Sequence, residues 1–207
     1  MVYGYAENTP YYMPKEYVTA YQTLEKLQGI PDLKPDAKVL VDGSTIMVST
    51  SHAESLTLEA LRARVKAVLG EDVIVNPAGT FTLYGSKADT GVTGRKIVVD
   101  AYGSGIPVGG GAYSGKDLTK LDRVAAYRAR EIAVELVKTY NLDKCLVELS
   151  YMIGATKPQI KVYANGAYNP LLSGSISLET CTPKALYQKY TNLDVTTLTF
   201  CPYMQLC

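Results

Sequence analysis

The chain has no tryptophan, two phenylalanines, one histidine and four cysteines, and each shortage closes off a class of function. Cys145, Cys181, Cys201 and Cys207 form no C-x-x-C pair, and His52 is the sole imidazole available to join them. A structural zinc site is therefore not expected, and reduced thiols are the default. Neither sign of charge dominates: 21 basic against 20 acidic residues leave a net charge of +1. That is not the basic surplus of a protein built to bind nucleic acid. No apolar run reaches the roughly 18 residues that suggest a membrane-spanning helix. The opening MVYGYAENTPYYMPKEY carries no apolar segment of the secretory type. With 47% hydrophobic and 20% charged residues, the composition suits a globular domain with ample core material. The expectation is a soluble cytoplasmic protein that engages neither nucleic acid nor membrane.

What is present is an alternation of element types. MPKEYVTAYQTLEKLQG predicts a helix, with Pro14 at its start, Gly29 at its end and Tyr17, Tyr21, Leu24 and Leu27 on one face. KVLVDGSTIMVSTS reads as a hairpin, because Asp42-Gly43 separates alternating apolar runs. SLTLEALRARVKAVLG predicts a second helix with Leu58, Leu61, Val65 and Val68 inward, followed by a short strand in DVIVN. GTFTLYG and GRKIVVDAYG are strand-like. LTKLDRVAAYRAREIAVELVKTYN is the clearest helix, with Leu121, Val124, Ala125, Ile132, Leu136 and Tyr140 opposite Arg123, Arg130, Glu131, Glu135 and Lys138. CLVELSYMIGA and QIKVYANG add strands, and the tail NLDVTTLTFCPYMQLC carries a weak strand or coil pattern. The predicted fold is α/β (α+β): two repeated β-α-β units, residues 1–88 and 89–207, with mixed sheets and helices on one face.

The chemistry concentrates between Asp89 and Arg123. From Gly110 the spacing G-x-x-x-x-G-K ends at Lys116, but Asp117 stands where a P-loop has the Ser or Thr that holds Mg²⁺. Either this is a failed P-loop or the glycines serve phosphate chemistry on another scaffold. Upstream, Gly91 and Gly94 flank a turn that delivers Arg95 and Lys96 side by side. Lys120 and Arg123 extend the cationic surface at the start of the long helix, whose N-terminus favours anions. Asp89, Asp117 and Asp122 are interleaved with these cations. Cations to neutralise phosphate oxygens and a carboxylate to hold a metal suit a polyphosphate with its Mg²⁺.

The stretch DTGVTGRKIVVDAYGSGIPVGGGAYSGKDLTKLDRVAAYRAR resembles the characteristic region of the S-adenosylmethionine synthetases. Similarity extends upstream through GYAENTPYYMP, LKPDAKVLV, STSHAE and VNPAGTF, and weakly downstream through LSYMIGATKP and TPKALYQKY. The resemblance answers the P-loop question, since Asp117 is the residue that this family carries there. It implies similar α/β domains around a pseudo-threefold axis, with active sites between the subunits of a dimer. It also implies transfer of the adenosyl group of ATP to the sulfur of L-methionine, with release of phosphate and diphosphate and with Mg²⁺ and K⁺ as cofactors. By position, Asp36 and Lys38 match ATP contacts, Phe81 the ring that stacks on adenine, and Asp89 an acid shared by nucleoside and methionine. Arg95, Lys96 and Lys116 match the catalytic triphosphate ligands, Ala112 an ATP contact, Lys120 a residue near methionine or phosphate, and Asp122 a magnesium ligand. His52 matches a strand position of the family and is expected to be structural.

The departures shape the functional expectation. The family's H-P-D-K segment, its G-A-G-D-Q-G loop and its C-terminal A-Y-G-H-F-G-R segment have no counterpart here, and the matching region starts near the middle of family chains. Thr80 stands in place of an Arg, and Val108 in place of a His. One expectation is a subunit of a split synthetase, completed by a second polypeptide that carries the N-terminal half, as a homo- or hetero-oligomer. The other is a non-catalytic relative that binds ATP or polyphosphate and serves as regulatory or structural partner of a full-length synthetase.

Overall fold

The turn at Asp42-Gly43 and the period-two pattern on either side of it fold as expected, and they anchor one of two units into which the chain divides. The computed structural model describes residues 1–91 and 95–194. Gly94, Cys201, Cys207 and most of the tail from Asn192 lie outside the described residues. In chain order the elements are β1 (Val2–Glu7), α1 (Lys15–Gln28), β2 (Leu33–Asp42), β3 (Thr45–His52), α2 (Leu58–Leu69), β4 (Ile74–Val75), α3 (Ile97–Asp100), α4 (Leu121–Tyr140), β5 (Lys144–Ser150), β6 (Gln159–Ala164), β7 (Ala167–Tyr168), α5 (Pro170–Ser175) and α6 (Pro183–Tyr190). Among the described residues no helix is long and apolar enough to cross a membrane.

The unit Lys15–Val92 carries a three-stranded sheet in the order β2-β3-β4. β2 and β3 are antiparallel across the two-residue turn Gly43-Ser44, and β4 joins β3 in parallel, so this sheet is mixed. Its core is Leu27 and Ile30 from the α1 end, Val48 of β3, Leu61 and Val65 of α2, and Val73 and Val75 around β4. Asn76 extends the short β4: its amide oxygen accepts from the Thr50 N–H at 2.8 Å, and its Nδ2 donates to the Thr50 carbonyl at 3.0 Å. Two expectations change here. Val68 is exposed while Leu69 packs on the core, because the inward arc of α2 centres on Leu61 and Val65. GTFTLYG forms no strand; at Phe81 one backbone bond to His52 at 3.0 Å replaces a ladder.

The second unit is built from residues 1–14 together with 93–207. The first fourteen residues belong here rather than with the 15–88 segment, because β1 pairs antiparallel with β5 from Val2↔Leu149 to Glu7↔Lys144. The sheet runs β1-β5-β6-β7 and is antiparallel throughout. α4 covers it, burying Val124, Ala125, Tyr127, Ala129, Ile132 and Ala133, while α6 adds Leu186 and Tyr190. IVVD is one helical turn, α3, and not a strand. A short β-branched run has no strand without a neighbouring edge to pair with, and Val98 and Val99 are exposed. Arg130, expected on the polar side of α4, is wholly buried, whereas Tyr140 is exposed.

Candidate functional site

The predicted site residues divide between the two units. Asp36, Lys38, Phe81 and Asp89 lie in Lys15–Val92, and Arg95, Lys96, Ala112, Lys116, Lys120 and Asp122 in the other.

The glycine loop, residues 108–120, is tied down at four points. Gly115 takes φ +80°, a conformation open to glycine, and the Lys116 N–H donates to the Tyr113 carbonyl at 3.1 Å. The Lys116 ammonium then meets the Asp122 carboxylate in the first turn of α4. A Cβ on Gly111 would fall 2.2 Å from that carboxylate, so with a side chain there the Asp122 carboxylate would have to turn away from its present contact. Arg123 donates to the Lys116 carbonyl, and its Nε donates to the Tyr127 hydroxyl at 2.8 Å. On the far side, the Tyr113 hydroxyl donates to the Asp100 carbonyl, and the Ser114 hydroxyl to Asp100 Oδ2 at 2.7 Å.

Asp117 is the turn anchor. It accepts from the Thr119 hydroxyl and from the Thr119 N–H at 2.8 Å, with Lys120 Nζ 3.6 Å from its other oxygen. These bonds, the Thr119 hydroxyl foremost, hold its carboxyl below the usual carboxylate range. The D-x-T spacing was the available signal for this role. Ala112 is partly buried in the loop, while Arg95 and Lys96 are exposed at the start of α3. The cleft beside the loop, lined by Tyr3, Tyr102, Val108, Gly111, Tyr113 and Asp122, has a volume of about 20 Å³, room for a single water-sized group. A polyphosphate would therefore compete with Asp122 and Asp117 for Lys116 and Lys120.

In the other unit, Asp36 and Lys38 share one face of β2 by their spacing of two. The Asp36 N–H donates to Ser51 Oγ at 3.1 Å, and its carboxylate accepts from the Gly85 N–H at 3.4 Å. Phe81 is fastened to His52, which accepts the Phe81 N–H at Nε2 (3.2 Å) while its Nδ1 bonds the Ala53 carbonyl at 3.0 Å. A ring that accepts at Nε2 and donates at Nδ1 is neutral and structural, and His52 is buried. Asp89 is exposed and accepts the Gly91 N–H at 2.8 Å. An open cleft of about 680 Å³ lies next to these residues, lined by Lys34, His52, Glu54, Tyr84, Gly85 and Lys87.

Among the described residues no group of three or more His, Cys, Asp or Glu gathers to hold a metal ion. Asp122 is one carboxylate. That fits Mg²⁺ held jointly with phosphate oxygens and water, since this ion takes one or two carboxylates and keeps several waters.

The family model for the S-adenosylmethionine synthetase C-terminal domain matches residues 83–177. The S-adenosylmethionine synthase of Paramagnetospirillum magneticum is 41% identical over 193 residues, covering 80% of this chain and 50% of the relative. That of Leuconostoc mesenteroides is 39% identical over 188 residues, with 76% and 49% covered. The chain thus spans about half the length of the curated relatives that it matches. The structure of an unusual S-adenosylmethionine synthetase from Campylobacter jejuni superposes with a TM-score of 0.79 at 28% identity, over 99% of this chain and 64% of that one.

Proposed function

This chain belongs to the S-adenosylmethionine synthetase family, and from that premise we propose that it supplies the triphosphate side of a site that makes S-adenosylmethionine from ATP and L-methionine. The observation that supports this most is the closed glycine loop, which sets Lys116 on Asp122 with Gly111 lying against the same carboxylate. Such a pair offers one cation to a phosphate oxygen and frees one carboxylate for its metal.

The reaction needs no protein nucleophile. A sulfur lone pair of methionine forms the bond to C5′ of ATP as the bond from C5′ to the triphosphate oxygen breaks, and that oxygen leaves with the electron pair. The work left to the protein is positioning and neutralisation of the departing charge. Arg95, Lys96 and Lys116 bind the triphosphate, Lys120 lies near phosphate or methionine, and Ala112 borders the nucleotide. Asp36, Lys38 and Phe81 hold the nucleoside, with Asp89 between nucleoside and methionine. Bound Mg²⁺, with Asp122 as one ligand, would neutralise phosphate charge. The unit containing Lys15–Val92 corresponds to the central domain of a synthetase and the other unit to its C-terminal domain. The remaining metal, K⁺ and methionine ligands come from a complementary polypeptide, in an oligomer located in the cytoplasm.

A second reading is a non-catalytic polyphosphate-binding relative that partners a full-length synthetase. It is favoured by Val108 and Thr80, and by the small cleft beside a cation already paired with Asp122. Isothermal titration of the chain with ATP and with tripolyphosphate, with and without Mg²⁺, tests the binding that both readings share. Product formation after adding a polypeptide with the H-P-D-K and G-A-G-D-Q-G segments separates them.

A further inference from the structure

Arg130 is the largest wholly buried side chain among the described residues. Its guanidinium donates to three backbone carbonyls of the N-terminal segment: Tyr5 at 2.5 Å, Tyr11 at 2.7 Å and Tyr12 at 2.8 Å. Two of those residues stand in the left-handed region, Tyr11 at φ 62° and Tyr12 at φ 53°. Bulky aromatics adopt that region only when their surroundings hold them there. Charge-assisted bonds from a planar, fork-shaped donor are strong enough to do so.

The clamped segment leads directly to the glycine loop. β1 lies so near α4 that a Cβ on Gly4 would fall 1.9 Å from the backbone of Ala129. At its other end, a Cβ on Gly109 would fall 2.2 Å from the Met1 carbonyl oxygen. Backbone thus rests on backbone at both places, with no side chain to cushion a shift. The loop is bracketed by two fixed contacts: Gly109 on the start of β1, and Gly111 on Asp122 of α4. The distance between those supports is set by how β1 is held to α4, and the buried guanidinium holds it.

We infer that Arg130 is a positioning residue for the glycine loop: by clamping β1 to α4 it sets the height of the loop over Asp122 and the placement of Lys116. For polyphosphate binding the inference rests on the reading given under Proposed function; the mechanical coupling does not.

The test measures amide hydrogen exchange across the chain and tripolyphosphate affinity by calorimetry, for the wild-type chain, Arg130→Lys, Arg130→Met and Gly109→Ala. In Arg130→Met, amides of residues 109–116 exchange faster together with those of β1 and the β5 amides that face it, while β6 keeps its protection. Tripolyphosphate binding weakens about tenfold, as expected when one charge-assisted bond is misaligned. Arg130→Lys, which reaches some of the same carbonyls, restores part of both effects. Gly109→Ala loosens residues 110–116 while β1 stays protected, which tests the seat of the loop on β1 that Arg130 acts through. Unchanged exchange at 109–116 in Arg130→Met, or in Gly109→Ala where the Arg130 variants do not fold, overturns the inference. A wild-type chain that binds no tripolyphosphate overturns the functional reading alone, with the exchange data still deciding the coupling.

Discussion

The Lys116 ammonium sits on the Asp122 carboxylate, and Gly111 lies against the same carboxylate. Loop cation, helix acid and bare backbone are thus one unit. Replacing any of them perturbs the others.

Lys116→Ala should weaken tripolyphosphate binding by about 10- to 100-fold, the loss of one charge-assisted bond of roughly 1.5–3 kcal/mol. Asp122→Asn should leave affinity without metal equal or higher, because a repelling charge is removed, and should abolish the gain on adding Mg²⁺. Paired titrations with and without Mg²⁺ check both.

Gly111→Ala puts a methyl group 2.2 Å from the Asp122 carboxylate. The carboxylate must swing aside and give up part of its contact with Lys116, at a cost of up to about 1 kcal/mol, the scale of an exposed ion pair. Chemical denaturation should show the loss, and tripolyphosphate affinity should fall with it.

Asn76 is buried and satisfies both backbone groups of Thr50. Asn76→Ala leaves a buried N–H and a buried carbonyl unpaired, so urea denaturation should show a loss of about 2–4 kcal/mol. Tripolyphosphate binding should be unchanged, because Asn76 and the glycine loop lie in different units.

Burial pushes the Cys145 thiol up to about 12 from 9.0, and burial raises Tyr151 and Tyr190 as well. Each group is neutral when protonated and has a folded pKa above its unfolded one. Their contribution is therefore fully present below the unfolded value and is lost as pH rises through the folded one. Melting temperature should fall steeply from about pH 9 upward, less steeply in Cys145→Ala. The Cys145 thiol should react with a disulfide reagent at neutral pH only after unfolding.

Much of this was legible in the sequence, for identifiable reasons. Asp42-Gly43 signalled the hairpin, which turns through Gly43-Ser44, and the apolar spacing of residues 121–140 packs as a helix. The glycine-lysine stretch carried the resemblance to the S-adenosylmethionine synthetases, the family to which the chain belongs. Three features were hidden because tertiary pairing decides them. IVVD and GTFTLYG have strand composition but pair with no strand in the structure. The first fourteen residues join the unit of β5 through pairing that no local pattern records. Arg130 shares the buried side of α4 with Ala126, Ala133, Val134 and Val137, and a charge among them finds its partners in three carbonyls of a distant segment that no local pattern records.

The most direct measurement is S-adenosylmethionine formation from ATP and L-methionine with Mg²⁺ and K⁺, for the chain mixed with a polypeptide carrying the complementary half of a synthetase. Product in the mixture that is lost on Lys116→Ala is the expected result. Absence of product from a mixture in which the two polypeptides bind each other and ATP would contradict a catalytic role and leave the polyphosphate-binding partner in its place.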